Sequence, residues 1–446
     1  MTRLRAIPAW AAALAFVLLV GGALRAVHAA DHGRFLSADE RAYSKLAAAM
    51  VHGHYSAPGM DDPLHWPPGA PALFAAGHLL GGDAGMYWAQ FVVGVALLGA
   101  VFVLAAIIAG AWAGVIAAAA IALYPPLAVI TGDLVSEPLG ALAMVVVVAA
   151  LAWAWRGPPA WRRFALAGAA TGAAILVRAD LLVLPIVLAA LVAATTRSWR
   201  ATAAYLLATV LALAPWSLYA SARRHGFVPV TSSSWSSLYV GTYLPGDGRM
   251  YGLREALGDE ARAHNPKIRN IPNQNLRAEW ILDAVAARHP KLGRGAALES
   301  ETKRNLRRYA LGRTLDFAAM QARKVQRMWI GYDRGTHHRE RAWILAVHLA
   351  LAAAGLAGLV WGLVRTRHPA LWAILLTALT VTAVNSFFVS EARHNVRVMP
   401  LLVAGGVAGV ALTRRGRAGR SEPPRRAPAE GPPASAASPR AAAAAR

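Results

Sequence analysis

The stretch Ser37-Ala-Asp-Glu-Arg-Ala-Tyr43 sets two adjacent carboxylates, Asp39 and Glu40, a few residues beyond a long apolar run. A carboxylate can take a proton from a hydroxyl, and an arginine can grip a phosphate through two parallel hydrogen bonds. Groups of both kinds recur in the connections between apolar runs: His52, His54, Asp61, Asp62 and His65; Asp133 and Glu137; Arg178 and Asp180; Glu391, Arg393, His394 and Arg397. Acids dominate the earlier connections and arginines the later ones. Gathered on one face, such a set suits a site that handles a phosphate leaving group and a hydroxyl acceptor. Taken singly, each of these residues also suits a headgroup anchor at the end of a membrane span.

The elements that would position them are membrane-length segments. The 446-residue chain is 57% hydrophobic and 15% charged, with a mean hydropathy of +0.40, which describes a polytopic membrane protein. With no cysteine, disulfides, Cys-based zinc sites, iron–sulfur clusters and thiol nucleophiles are all excluded. The net charge of +23 would suggest nucleic acid in a soluble protein. Here much of the arginine flanks apolar runs, where it orients helices and meets anionic lipid headgroups, so membrane lipids and not nucleic acid are the expected partners.

Residues 1–30 have the outline of a signal peptide, with Arg3 and Arg5 ahead of an apolar core. That core, Ile7 to Leu24, is long and no small-residue cleavage site follows, so it is read as a retained first span. Further apolar runs cover 85–108, 112–130, 138–155, 164–177, 181–194, 201–219, 343–364, 371–389 and 398–412, about ten spans in all. Alternate threading places the basic clusters at 3–5, 156–163, 197–200, 365–367 and 413–417 on one side. By the positive-inside rule that side is cytoplasmic, with both termini there and the polar set outside, and the expected location is the cell (inner) membrane. The expected organisation is a transmembrane core over 1–222 with a first external loop at 30–83, an external segment at 223–341, C-terminal spans at 342–413, and a disordered basic tail at 414–446. Within the external segment, residues 278–329 pattern as amphipathic helix, and WSSLYVGTY offers aromatics and hydroxyls suited to sugar or to the membrane interface.

The order of short motifs along the chain resembles that of the GT-C membrane glycosyltransferases, within them the group of protein O-mannosyltransferases (glycosyltransferase family 39) and the lipid A aminoarabinose transferase. The motifs are Asp39-Glu40-Arg41-Ala42-Tyr43, Pro67-Pro68-Gly69, Ser136-Glu137-Pro138-Leu139, Arg178-Ala179-Asp180, Pro215-Trp216 and Arg393 to Pro400. The resemblance implies an all-α bundle of about ten transmembrane helices whose extracytoplasmic loops form the active-site face. It further implies inverting transfer of a hexosyl or pentosyl unit from a polyprenyl-phosphate donor, without a nucleotide sugar, to a hydroxyl on a glycan, lipid or protein. The aminoarabinose branch carries a Lys before the Pro-Pro of the first loop. Here Trp66 takes that place, with His65 beside it.

On this resemblance Asp39 is the expected base. Glu40 beside it can raise its pKa as a like charge, or can instead close a capping box with Ser37 at the start of a helix over 38–50. One helical turn on, Tyr43 can hold Asp39, pack against sugar or serve as an interfacial aromatic. Arg393 and Arg397, four apart, and Arg178 are the expected phosphate ligands, with His65 and Glu137 completing the substrate-binding set. No cofactor is required by this chemistry. A divalent cation at His52, His54, Asp61, Asp62 and His65 is possible by ligand type, although loop histidines are as readily plain surface groups. A lipid or solute transporter or flippase is the competing class, and a non-catalytic scaffold a further one. Transport calls for ionisable groups in mid-span and repeat symmetry, whereas these spans have almost uncharged middles.

Overall fold

The computed structural model describes residues 7–30, 37–60, 62–330, 342–391 and 393–421, with side chains to Arg414. Arg3, Arg5, Asp61 and the tail beyond Ser421 lie outside the described residues. Those that are described form helices and turns with no strand.

Helix α1 (Ala9–Ala29) is followed by α2 (Ala38–Val51), which lies in the first loop. Helix α3 (Gly69–Ala109) is two arms: Gly81 and Gly82 leave helical geometry, and Gly82 takes φ +60°, which favours glycine. The chain folds back there, so a Cβ on Gly77 would stand 2.4 Å from the carbonyl oxygen of Gly85. The first loop therefore ends in a helix of its own, an element that composition alone did not separate. Then come α4 (Ala111–Ala122), the short α5 (Pro125–Ile130), α6 (Glu137–Ala154), α7 (Trp161–Val177), α8 (Leu184–Thr196) and α9 (Trp199–Arg224). Helices α10 (Ser234–Thr242), α11 (Met250–His264), α12 (Ala278–Ala287), α13 (Arg294–Asn305) and α14 (Thr314–Trp329) follow in the segment between α9 and the last long helices. The chain closes with α15 (Ala342–Thr366), α16 (Pro369–Phe387), the single turn α17 (Arg393–Val396) and α18 (Met399–Ser421).

The apolar runs fall on helices, the 112–130 run being divided between α4 and α5. Among the described residues seven helices are long and apolar enough to cross a membrane, and α4 and the apolar part of α18 are shorter. Their shared core joins Leu97, Leu104, Val147, Leu151, Ile175, Leu188, Ile374 and Leu401, all buried. Where α15 crosses α18 the backbones nearly touch, because a Cβ on Gly358 would lie 2.5 Å from the Gly406 carbonyl oxygen. Small residues permit such approach, and in lipid close contact is the main source of helix association. At one end of the bundle, arginines lie over tryptophan rings: Arg163 over Trp153 at 5.0 Å, Arg365 over Trp361 at 4.6 Å and Arg200 over Trp199 at 5.7 Å. These pairs satisfy both the cation and the amphipathic ring at a membrane interface.

The opposite end carries α2, the 131–136 turn, α17 and the segment α10–α14. That segment has an apolar core of its own around Tyr239, Leu253, Ile281 and Val285. Lys324, fully buried, ties it to the bundle by donating to the carbonyls of Gly241 (2.8 Å) and Phe388 (2.7 Å).

Candidate active site

Helix α2 starts at Ser37 for a local reason. The Ser37 hydroxyl accepts from the Glu40 amide at 3.3 Å, while Glu40 Oε2 accepts from the Ser37 amide at 2.9 Å, a complete capping box. The other Glu40 oxygen accepts from the Leu134 amide at 3.2 Å. Glu40 is thus buried and holds the 131–136 turn against α2, which leaves the neighbouring Asp39 for another partner. Gln90 braces the same turn by donating to the carbonyls of Asp133 (3.0 Å) and Val135 (2.8 Å).

The turn delivers Ser136 and Glu137, the latter being the first residue of α6. Arg178 ends α7 in extended conformation and reaches back, donating to Ser136 Oγ at 2.8 Å and to Glu137 at 3.3 Å. Its Nε stands 3.5 Å from Asp180. From the far end of the chain, Arg393 donates to Asp39 Oδ2 at 2.7 Å, across 354 residues. The same guanidinium lies 2.7 Å from Glu391 and 3.6 Å from Glu137. One turn later Arg397 turns the other way. Fully buried, it grips both oxygens of Asp180, a carboxylate that also accepts from Asn385 at 3.0 Å.

Six residues singled out in the sequence therefore meet: Asp39, Glu137, Arg178 and Arg393 form one chain of charges, and Asp180 links it to Arg397. Tyr43 sits beside them but in the core, edge-on to Trp66 at 6.4 Å and to Phe74 at 6.0 Å. Burial pushes its phenol up. His65 lies tilted against Trp66, ring centroids 4.4 Å apart, and burial holds its imidazole below the usual histidine range despite the nearby charges of Asp62 and Asp39.

Three expectations need correction. Asp39 is not raised by Glu40: burial acts upward, but the Arg393 charge and hydrogen bond, helped by His65 and Arg178, hold the carboxyl below its ordinary range. Arg397 does not share Arg393's face, because one turn of helix bounded by two different acids sends the two guanidiniums apart. Tyr239 of WSSLYVGTY is fully buried and stacked on Tyr243, so it is core and not a sugar platform.

Among the described residues no three His, Cys, Asp or Glu are placed to hold a metal ion. Asp62 is occupied by Ser232 at 2.6 Å with Arg224 at 3.6 Å. The acids of the Asp39 cluster each face an arginine, an arrangement that does not suit a cation. Sequence reasoning missed Gln90 and Asn385 as positioning groups. A lone amide inside an apolar run was the available signal for both.

The family model of dolichyl-phosphate-mannose-protein mannosyltransferases matches residues 65–219, a stretch that holds Glu137 and Arg178. No curated protein matches the chain by sequence. Among solved structures, the Archaeoglobus fulgidus oligosaccharyltransferase tethered with an acceptor peptide containing the NVT sequon is 16% identical, with a TM-score of 0.54 over 91% of this chain and 49% of that one. The archaeal oligosaccharyltransferase AglB of the same organism, in complex with an inhibitory peptide and a dolichol-phosphate, is 16% identical with a TM-score of 0.53 over 94% and 52%. ArnT from Cupriavidus metallidurans bound to undecaprenyl phosphate aligns at 16% identity over 91% of this chain and 77% of that one, with a TM-score of 0.43. The chain spans about half the length of the oligosaccharyltransferases it matches. At these identities the likeness is one of fold, shared with the Archaeoglobus fulgidus oligosaccharyltransferases.

Proposed function

We propose that the protein is an integral-membrane glycosyltransferase that moves a sugar from a polyprenyl-phosphate donor to an acceptor hydroxyl on the extracytoplasmic side, with inversion. The observation that carries this reading is the meeting of Asp39 and Arg393, flanked by Glu137 and Arg178, at the end of the bundle opposite the arginine–tryptophan belt. The family-model match and the dolichol-phosphate held by one fold relative support a lipid-linked donor.

The geometry suggests how the parts would work. In the free protein Arg393 suppresses Asp39 as a base. An entering donor phosphate competes for the guanidinium, because a bidentate phosphate contact is as strong as the contact it displaces. As Arg393 turns to the phosphate, Asp39 loses the charge that lowers its pKa, and its partial burial then makes it more basic. The acceptor oxygen attacks the anomeric carbon from the face opposite the phosphate, its proton passes to Asp39, and the carbon–oxygen bond to phosphate breaks. The electron pair leaves with polyprenyl phosphate, whose charge Arg393 and Arg178 stabilise. Glu40, Asp180 and Arg397 hold the frame.

The test is acceptor-dependent release of polyprenyl phosphate by the purified protein in liposomes that carry a polyprenyl-phosphate sugar, with the product anomer read by NMR. Release without an acceptor, or retention of configuration, would refute the mechanism. A reporter fused after Gly246 should be exported and one after Pro159 should stay cytoplasmic. The reverse pattern would place the site on the wrong side for this donor.

A further inference from the structure

Helix α14 ends against the bundle, and its last turn is gripped by side chains that have no part in the transfer described above. The final carbonyls of a helix lack a partner within it. Here the Met328 carbonyl accepts from the Asn395 side-chain amide, and the Trp329 carbonyl accepts from His348 Nε2 at 3.1 Å. One turn earlier the Ser390 hydroxyl donates to the Lys324 carbonyl at 3.1 Å. The Trp329 ring N–H donates in turn to Thr382 of α16 at 3.2 Å.

Because a carbonyl oxygen only accepts, Nε2 of a neutral His348 ring carries the proton and Nδ1 is left as an acceptor. Tyr124, between α4 and α5, fills that place with its hydroxyl at 2.7 Å. The line Tyr124–His348–Trp329 thus joins three separate elements through one tautomer. Asn395 Nδ2 stands 3.3 Å from the same His348 Nε2, a packing contact between two donors. Tyr124, His348 and Asn395 are all buried. His348 belongs to α15, a helix apolar enough to cross a membrane, where a polar side chain is costly and calls for a role.

Asn395 ties this network to the site. It lies in α17 between Arg393 and Arg397, in a single turn too short to hold its own geometry. Arg397 pins that turn to Asp180, and Asn395 pins it to the end of α14. Asn395 Oδ1 meanwhile has no hydrogen-bond partner among the described residues. A buried amide that leaves its oxygen unmet costs free energy, so stability alone does not account for an asparagine here. What the contact supplies is a fixed position for α17, and with it the backbone from which Arg393 reaches Asp39 at 2.7 Å.

We propose that His348 and Asn395 are positioning residues for Arg393. Through the end of α14 they set the aim of the guanidinium that holds Asp39 in the free protein and takes the donor phosphate, a role that rests on the glycosyltransferase reading above. The test compares the full-length protein in nanodiscs with three variants. His348→Phe fills the space of the ring without either hydrogen bond, Asn395→Leu removes the donor to Met328, and His348→Gln can still donate toward Trp329 and accept from Tyr124. Two quantities are read. One is the affinity for polyprenyl phosphate. The other is the titration of Asp39, which faces His65 and Arg178 as well as Arg393, followed as the carboxyl infrared band that Asp39→Asn removes. His348→Phe and Asn395→Leu should weaken polyprenyl phosphate roughly three- to tenfold, less than deletion of Arg393 itself. They should also raise the Asp39 midpoint as the arginine loosens its hold. His348→Gln should return both quantities most of the way to the parental values. A lower unfolding temperature with parental affinity and parental titration would make both residues purely structural and overturn the proposal. So would a His348→Gln protein that behaves as His348→Phe does. Because the titration needs no ligand, a parent protein that fails to bind polyprenyl phosphate loses the donor reading, while Asp39 still decides the positioning role.

Discussion

Asp39–Arg393 and Asp180–Arg397 are the same chemical pair built four residues apart, yet they occupy opposite environments. In the first, the aspartate is 35% and the arginine 30% exposed, and the arginine faces three carboxylates at once. In the second, the aspartate is 15% and the arginine 0% exposed, with both guanidinium nitrogens and an asparagine directed at a single carboxylate. A buried ion pair is hard to open, because separation strands a charge in a low-dielectric setting. One at a partly wet mouth exchanges partners at modest cost. Only the first pair is therefore suited to hand its arginine to a phosphate, while the second fixes the Ala179–Leu181 turn and α17 in register.

That contrast can be broken most sharply at the buried pair. Arg397→Met leaves Asp180 with Arg178 and Asn385 but removes its bidentate partner, so folding stability should fall by about 3 kcal/mol, the lower part of the range for breaking a buried pair. Denaturant unfolding in mixed micelles reads this directly. Stability equal to the parent protein would put Arg397 on the same footing as Arg393.

At the mouth the effect should move from stability to ligand. Arg393→Ala should leave unfolding nearly unchanged and weaken donor binding roughly ten- to a hundredfold, as expected for a charge-assisted phosphate contact. Unaltered donor affinity would remove it from the site.

The smallest effect is a displacement along the pH axis. Since the folded pKa of Asp39 is depressed, the pair contributes stability above the unfolded value of about 3.9 and loses it as pH falls through the lower folded value. The acid limb of kcat/KM, which reports the free enzyme, should accordingly lie below the ordinary carboxylate range, and that of kcat should lie higher, where the donor has drawn Arg393 away. Replacing Arg393 with Met removes the larger part of the downward influence and leaves burial opposed only by His65 and Arg178, so the kcat/KM limb should rise toward that of kcat. Limbs that coincide in the parent protein would show that no exchange of partners occurs.

Much of this was legible in the residues themselves. Apolar runs marked the seven helices long and apolar enough to cross a membrane, and the Ser37–Glu40 spacing announced the capping box, because both signals are local and set by backbone geometry. Non-local choices were less readable. Spacing alone put Arg393 and Arg397 on one face, but α17 is a single turn and each arginine follows whichever acid the fold brings to it. Proximity in sequence likewise made Glu40 the apparent electrostatic neighbour of Asp39, whereas the true neighbour comes from 354 residues away. The apolar core of the α10–α14 segment was hidden because it is assembled from four short helices, α10–α13, and the turns between them, none of which is apolar enough to stand out.

The most direct measurement is the turnover of Asp39→Asn in donor-loaded liposomes, with donor binding recorded on the same preparation. Asn keeps the size of the side chain and can still accept from Arg393, but it cannot take the acceptor proton. Turnover should fall by around 10²–10⁴ with donor binding retained, and Glu40→Gln, which preserves a capping partner for Ser37, should be milder. Near-parental turnover by a folded, donor-binding Asp39→Asn protein would contradict the assignment of Asp39 as the base.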